Sequence, residues 1–152
     1  MNKITPFLWF DNQAEEAMKF YISVFKNSKI IGTNPGPDGK VMMATFELEG
    51  QRIMALNGGP EFKLNESFSF VIDCADQAEV DEYWSKLTAD GGSESQCGWL
   101  KDKFGLSWQV IPTVLGELLG NPNQTKAQRV MQAMLQMKKL DIAALEQARD
   151  QE

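Results

Sequence analysis

Proteins that move protons or hold metal ions near neutral pH most often use histidine, and this chain of 152 residues has none. The remaining candidates for chemistry are two cysteines, the carboxylates and a few cations. Cys74 and Cys97 form no C-x-x-C motif and have no imidazole to pair with, so both read as reduced thiols packed as small hydrophobes. Asp102 and Lys103, beside Phe104-Gly105, offer an acid and a base, but such a cluster is turn composition. No Ser-His-Asp or Cys-His set can form and no carboxylate pair is positioned, so no catalytic residue is assigned. Arg52 and Asp73 remain, each in an apolar strand-like run. There a charge would fix an oppositely charged ligand group, unless it reaches solvent from a strand end.

The elements that must position these residues come in two copies. Asn12-Gln13-Ala14-Glu15 and Asp76-Gln77-Ala78-Glu79 are the same helix start, each after an apolar run. In the first copy Ile4 to Phe10 predicts a strand, and Asn12 is the expected N-cap with Glu15 in a capping box. Ala14, Ala17, Met18, Tyr21, Ile22 and Phe25 then recur at helical spacing up to about Asn27. Lys29 to Thr33 predicts a strand, the run Asn34 to Gly39 breaks it, and Val41 to Leu48 with Arg52 to Leu56 predicts a hairpin around Gly50. After Asn57-Gly58-Gly59-Pro60 and the polar stretch Glu61 to Glu66 the pattern restarts. Phe68 to Cys74 predicts a strand, and Asp76 caps a helix with Val80, Trp84 and Leu87 inside and Gly91-Gly92 at its end. Short strands are expected near Glu94 to Leu100 and Ser107 to Pro112, with Trp99 and Trp108 in the core. Each half reads strand, helix, three strands, an α+β plan that places a ligand between the copies.

The tail is helical. Asn121-Pro122 marks a start with proline at the first helical position, and Ala127, Val130, Met131, Met134 and Leu135 form an apolar stripe. Asp141 can cap a last helix, with Leu140 and Leu145 as a hydrophobic staple. A methionine stripe of this kind serves core or subunit contact.

Composition narrows the function classes. The length suits a single domain over 1–152, divided into module one at 1–60, module two at 65–113 and a helical tail at 114–152. With 15 basic against 21 acidic residues, a net charge of −6 and no basic cluster, nucleic acid is a poor partner. No run approaches the length of a membrane span, and Met1 to Pro6 lacks a signal-peptide pattern, which predicts a cytoplasmic protein without a membrane partner.

Three stretches carry a specific resemblance: Pro6 to Ala17, Phe20 to Phe25 and above all Cys97 to Pro112, with Lys126 to Met131 in the tail. They resemble the PhnB-like branch of the vicinal-oxygen-chelate superfamily, the glyoxalase, bleomycin-resistance and dioxygenase group, whose members carry repeated βαβββ modules. Members of the branch are often called 3-demethylubiquinone 3-methyltransferases. A Rossmann-type methyltransferase would open a helix on a glycine-rich turn, whereas Gly58-Gly59-Pro60 and Gly91-Gly92 read as turn and cap.

Metal-dependent relatives place four ligands, usually His and Glu, on the first and last strands of each module. Registering the two copies puts Thr5, Met54, Ser69 and Gln109 at those positions, a set without imidazole or carboxylate. The resemblance therefore implies a small-molecule-binding protein with no native metal and no predicted cofactor. Side chains at i and i+2 share a strand face, so the ligand cleft is expected to include Thr5, Phe7 and Trp9 from one strand and Arg52 and Met54 from another. Ser69, Val71 and Asp73, and across from them Gln109, complete it. An alternative is an enzyme, either the methyltransferase of the family label or a glyoxalase-like protein with altered metal ligands. In both cases a homodimer and an unidentified small molecule are the expected partners.

Overall fold

A computed structural model describes residues 2–151. The chain divides into two compact units, one ending at Asn65 and one beginning at Glu66. That division falls in the polar stretch expected to separate the modules.

The first unit contains β1 (Phe7–Phe10), α1 (Ala14–Val24), β2 (Ser28–Pro35), β3 (Val41–Leu48) and β4 (Gln51–Asn57). Its sheet has the order β1-β4-β3-β2, with β1 parallel to β4 and the other pairs antiparallel. Leu48 pairs with Gln51, so Glu49 and Gly50 alone turn the β3–β4 hairpin, both at positive φ (50° and 82°). That backbone fits the twist of a tight hairpin, and glycine supplies its second position without strain. Leu8, Phe10, Ala44, Phe46, Ile53 and Ala55 are buried, as are Ala14, Ala17, Met18 and Tyr21 of α1, so the apolar stripe of the helix and the alternating strand residues form one core.

The second unit repeats the plan. It holds β5 (Ser69–Cys74), α2 (Gln77–Thr88), a single 3-10 turn (Ala89–Gly91), β6 (Ser93–Glu94), β7 (Trp99–Lys101) and β8 (Ser107–Pro112), in the sheet order β5-β8-β7-β6. Val80, Trp84 and Leu87 of α2 are buried, as are Ile72, Leu100, Trp108 and Val110 of the sheet. The tail forms α3 (Val114–Leu119), α4 (Gln124–Leu135) and α5 (Ile142–Asp150) around Leu115, Leu118, Val130, Leu140 and Leu145. It is tied to the rest of this unit by main-chain bonds from the Cys97 and Gly98 amides to the Met137 and Lys138 carbonyls. Gln77 adds a side-chain clamp, donating to the Leu140 carbonyl and accepting from the Ile142 amide.

Several expectations need correction. The first strand begins at Phe7 rather than Ile4. Pro6 has no N–H to enter a ladder, and Ile4 is 84% exposed. Asn12 does not cap α1: Gln13 occupies the cap without a side-chain bond, and the free Ala14 amide is met by Oδ1 of Asn57 from the end of β4, at 2.8 Å. In α2, by contrast, Asp76 caps as expected, accepting from the Glu79 amide, while Glu79 reaches back past the cap to the Ala75 amide at 3.4 Å. Pro122 lies outside α4, whose cap is Asn123, and α3 was not foreseen. Asp141 caps α5 as expected, with Leu140 and Leu145 fully buried. Among the described residues no helix is long and apolar enough to cross a membrane.

Candidate functional site

Each helix covers one face of its own sheet, and alternation turns the other strand residues the opposite way. In the first unit Phe7 pairs with Met54 and Trp9 with Leu56, while Thr45 and Met43 stand opposite those two β4 residues. These side chains share the face away from α1. Phe7 is 52% exposed, and Trp9, Met54 and Leu56 are half-buried. Thr5 is half-buried ahead of β1, and Arg52 is exposed and forms no ion pair among the described residues. Thr45 and Met43 were missed as candidates, although the hairpin centred on Glu49-Gly50 fixes their register.

Trp9 is held by its own unit. Its indole N–H donates to the Gly59 carbonyl at 2.9 Å, and Phe62 packs edge-on at 5.0 Å between ring centroids. A Cβ on Gly58 would stand 2.4 Å from the Trp9 ring, so only glycine lets the chain pass there.

In the second unit Ser69 pairs with Ser107, Val71 with Gln109 and Asp73 with Ile111. The relation of Phe7 to Met54 thus recurs as that of Val71 to Gln109, which supports registering Thr5 on Ser69 and Met54 on Gln109. Gln109 Nε2 donates to Ser69 Oγ at 3.0 Å. Val71 is 53% exposed and Asp73 lies exposed at the far end of β5, whereas Ile111 packs against the tail cluster. Ser107, on the same strand face, is buried, and its hydroxyl finds no protein partner.

Trp99 departs from expectation. It pairs with Gln109 across the β7–β8 ladder and so stands on the candidate face, half-buried, rather than in the core. Directly opposed residues of an antiparallel pair share a face, and it is the β7–β8 register that sets Trp99 opposite Gln109. Trp108 is core as expected, 2% exposed, with its indole N–H donating to Asp102 Oδ2 at 2.9 Å. Asp102 is the turn residue foreseen, but buried: its Oδ1 also accepts from the Phe104 and Leu106 amides. Both cysteines are free thiols. Cys74 is buried, and desolvation, reinforced by Glu79, Asp73 and Asp76, pushes its pKa up to about 12.

The donor chemistry does not fit a metal of the family type. Thr5 and Met54 in one unit and Ser69 and Gln109 in the other offer hydroxyls, a thioether and an amide. Among the described residues no three His, Cys, Asp or Glu side chains gather as a metal site. Nor does either helix start fit a nucleotide-type cofactor: Asp11-Asn12-Gln13 and Ala75-Asp76 lead into α1 and α2 without a glycine.

A groove of about 950 Å³ in the first unit lies at the loops, between Asp11, Glu15 and the Gly36–Met42 segment, and none of the expected cleft residues lines it.

Comparison with known proteins places these features. The family model described as 3-demethylubiquinone-9 3-methyltransferase matches residues 2–111. The PhnB protein of Bacillus cereus is 33% identical, with 73% of this chain and 99% of that one covered and a TM-score of 0.67. The fosfomycin resistance protein FosX of Listeria monocytogenes shares 17% identity over 76% of this chain and 94% of that one, at a TM-score of 0.55. A glyoxalase-related enzyme of Fulvimarina pelagi shares 13% identity over 73% and 88%, at 0.50. The last two show likeness of fold alone, that of the vicinal-oxygen-chelate superfamily. No curated protein matches the chain.

Proposed function

Because the chain belongs to the 3-demethylubiquinone-9 3-methyltransferase family, in its PhnB-like form within the vicinal-oxygen-chelate superfamily, we propose that it is a small-molecule-binding protein that works without a native metal ion and as a homodimer. The observation that carries this reading is the residue set at the four positions where relatives hold metal. Thr5, Met54, Ser69 and Gln109 bring no anionic or imidazole donor, and Gln109 is already bonded to Ser69. A divalent ion needs several such donors to offset its dehydration. Each unit's face suits an organic ligand by itself: half-buried Trp9 and Met54 supply apolar contact on the first, and on the second half-buried Trp99 supplies it beside the oriented polar groups of Ser69 and Gln109. A single sheet face encloses a ligand only when something covers it, and a second copy with the same exposed apolar side chains, Phe7 and Val71 among them, is the cover this reading assigns.

The family name supplies the competing reading of methyl transfer. A thermal-shift panel separates the two, because only a ligand that prefers the folded state raises the midpoint. Divalent ions, chelator and S-adenosylmethionine should leave the midpoint unchanged, while some aromatic small molecules raise it. A saturable rise with S-adenosylmethionine or one divalent ion would overturn the proposal.

A further inference from the structure

Resting on that reading of the β5–β8 face, we infer that this face takes a neutral, planar molecule with a hydrogen-bonding edge, of the aromatic amide class, rather than an ion. The ladder brings three uncharged polar side chains together. Gln109 Nε2 lies 3.0 Å from Ser69 Oγ, and Ser107 is paired with Ser69 one strand away, a spacing of about 4.8 Å.

Their hydrogen-bonding capacity is only partly used. The bond between Gln109 and Ser69 occupies one Nε2–H and one lone pair of the hydroxyl. The second Nε2–H and Oε1 of Gln109 and the O–H of Ser69 have no protein partner among the described residues. Ser107 Oγ is buried and unpartnered as well. Buried polar atoms are nearly always satisfied; Ser107 Oγ is the one left unmet among the described residues, and the spare Oε1 of half-buried Gln109 beside it is accessible, so a ligand edge that engages Gln109 would extend this network. Trp99, opposite Gln109 in the β7–β8 ladder, stands next to this cluster, and its indole makes no hydrogen bond among the described residues. A ring lying along Trp99 would present its polar edge to Gln109.

Charge selects against ions. Lys101 is paired with Ser107 in the ladder, but its ammonium is engaged by Glu66, so an anion would have to break that pair. Asp73 is at the other end of β5, paired with Ile111, too far along the strand to meet a cation held at Ser69. The cluster therefore presents both donors and an acceptor without net charge.

The test is an NMR titration of the full chain with three one-ring probes of similar shape: benzamide, benzoate and benzylamine. Benzamide should move the Gln109 side-chain amide and Trp99 indole signals saturably, with benzoate and benzylamine at least tenfold weaker. Gln109→Glu, which replaces the amide edge with a carboxylate, should weaken benzamide at least tenfold and turn the preference to benzylamine. Ser107→Ala removes the unmet hydroxyl, so it should raise the melting midpoint while weakening benzamide several-fold; undiminished benzamide binding in that variant would overturn the assignment. Tighter binding of benzoate or benzylamine at this face overturns the neutral-ligand inference and leaves the small-molecule reading intact. If none of the probes moves either signal, this inference fails, and the thermal-shift panel alone then decides the broader reading.

Discussion

Burying a carboxylate costs several kcal/mol unless its lone pairs are met, and Asp102 is met by two backbone amides and the Trp108 indole. The carboxylate thereby fixes the turn between β7 and β8 and anchors a core tryptophan. Asp102→Asn keeps an oxygen for the amides but turns an NH₂ toward the indole N–H, donor against donor. The variant should lose about 2 kcal/mol in denaturant unfolding, and an unchanged midpoint would contradict the role. Cys74 makes a pH prediction. Its thiol, raised to about 12 in the folded chain, stays protonated where the unfolded chain already forms thiolate. Its contribution is fully present below the unfolded pKa and is lost as pH rises toward the folded one. Melting scans from pH 8 to 11 should fall less steeply in Cys74→Ala than in the parent. The turn role of Asp102 was legible in the sequence because Asp and Gly signal turns locally. Its burial was not, since that depends on where the Trp108 ring packs, and Trp99 was misplaced because its face depends on ladder register.

The two strand-helix units look equivalent in sequence and are capped differently. Asp76 and Glu79 bond locally at the start of α2, whereas the first turn of α1 depends on Asn57, which also donates to the Val41 carbonyl at 3.0 Å. One asparagine thus joins β4, β3 and the helix start. Asn57→Ala should cost about 1–2 kcal/mol, while Asn12→Ala should change stability by less than about 0.5 kcal/mol. Paired unfolding curves check both, and equal losses would show that the cap is local after all. The helices other than α3, the succession of strands along the chain and the hairpin were readable because periodicity and glycine positions are local signals. The cap from Asn57 was not, because it joins residues distant in sequence. The start of β1 and the place of Pro122 slipped by a turn or less, as boundaries do where proline removes a donor without fixing which residue ends the ladder.

At the scale of the whole molecule, the family match ends at residue 111, and 73% of this chain covers nearly all of the Bacillus cereus relative. The tail from Val114 onward adds its own small core, clamped by Gln77 and the Cys97–Gly98 amides. Repeated modules were visible in the sequence, and so were the uncharged side chains of Thr5, Met54, Ser69 and Gln109, because both are questions of residue type at equivalent positions. The identity of the proposed ligand was not, since recognition depends on side-chain placement and on what covers each sheet face. Native mass spectrometry of the protein purified gently from its source cells measures subunit count, metal and organic cargo together. A metal-free binding protein should appear at about twice the 17.1 kDa chain mass, carrying an organic adduct that collisional activation releases and no metal increment. One tightly held divalent ion per chain, or bare monomers throughout, would contradict it.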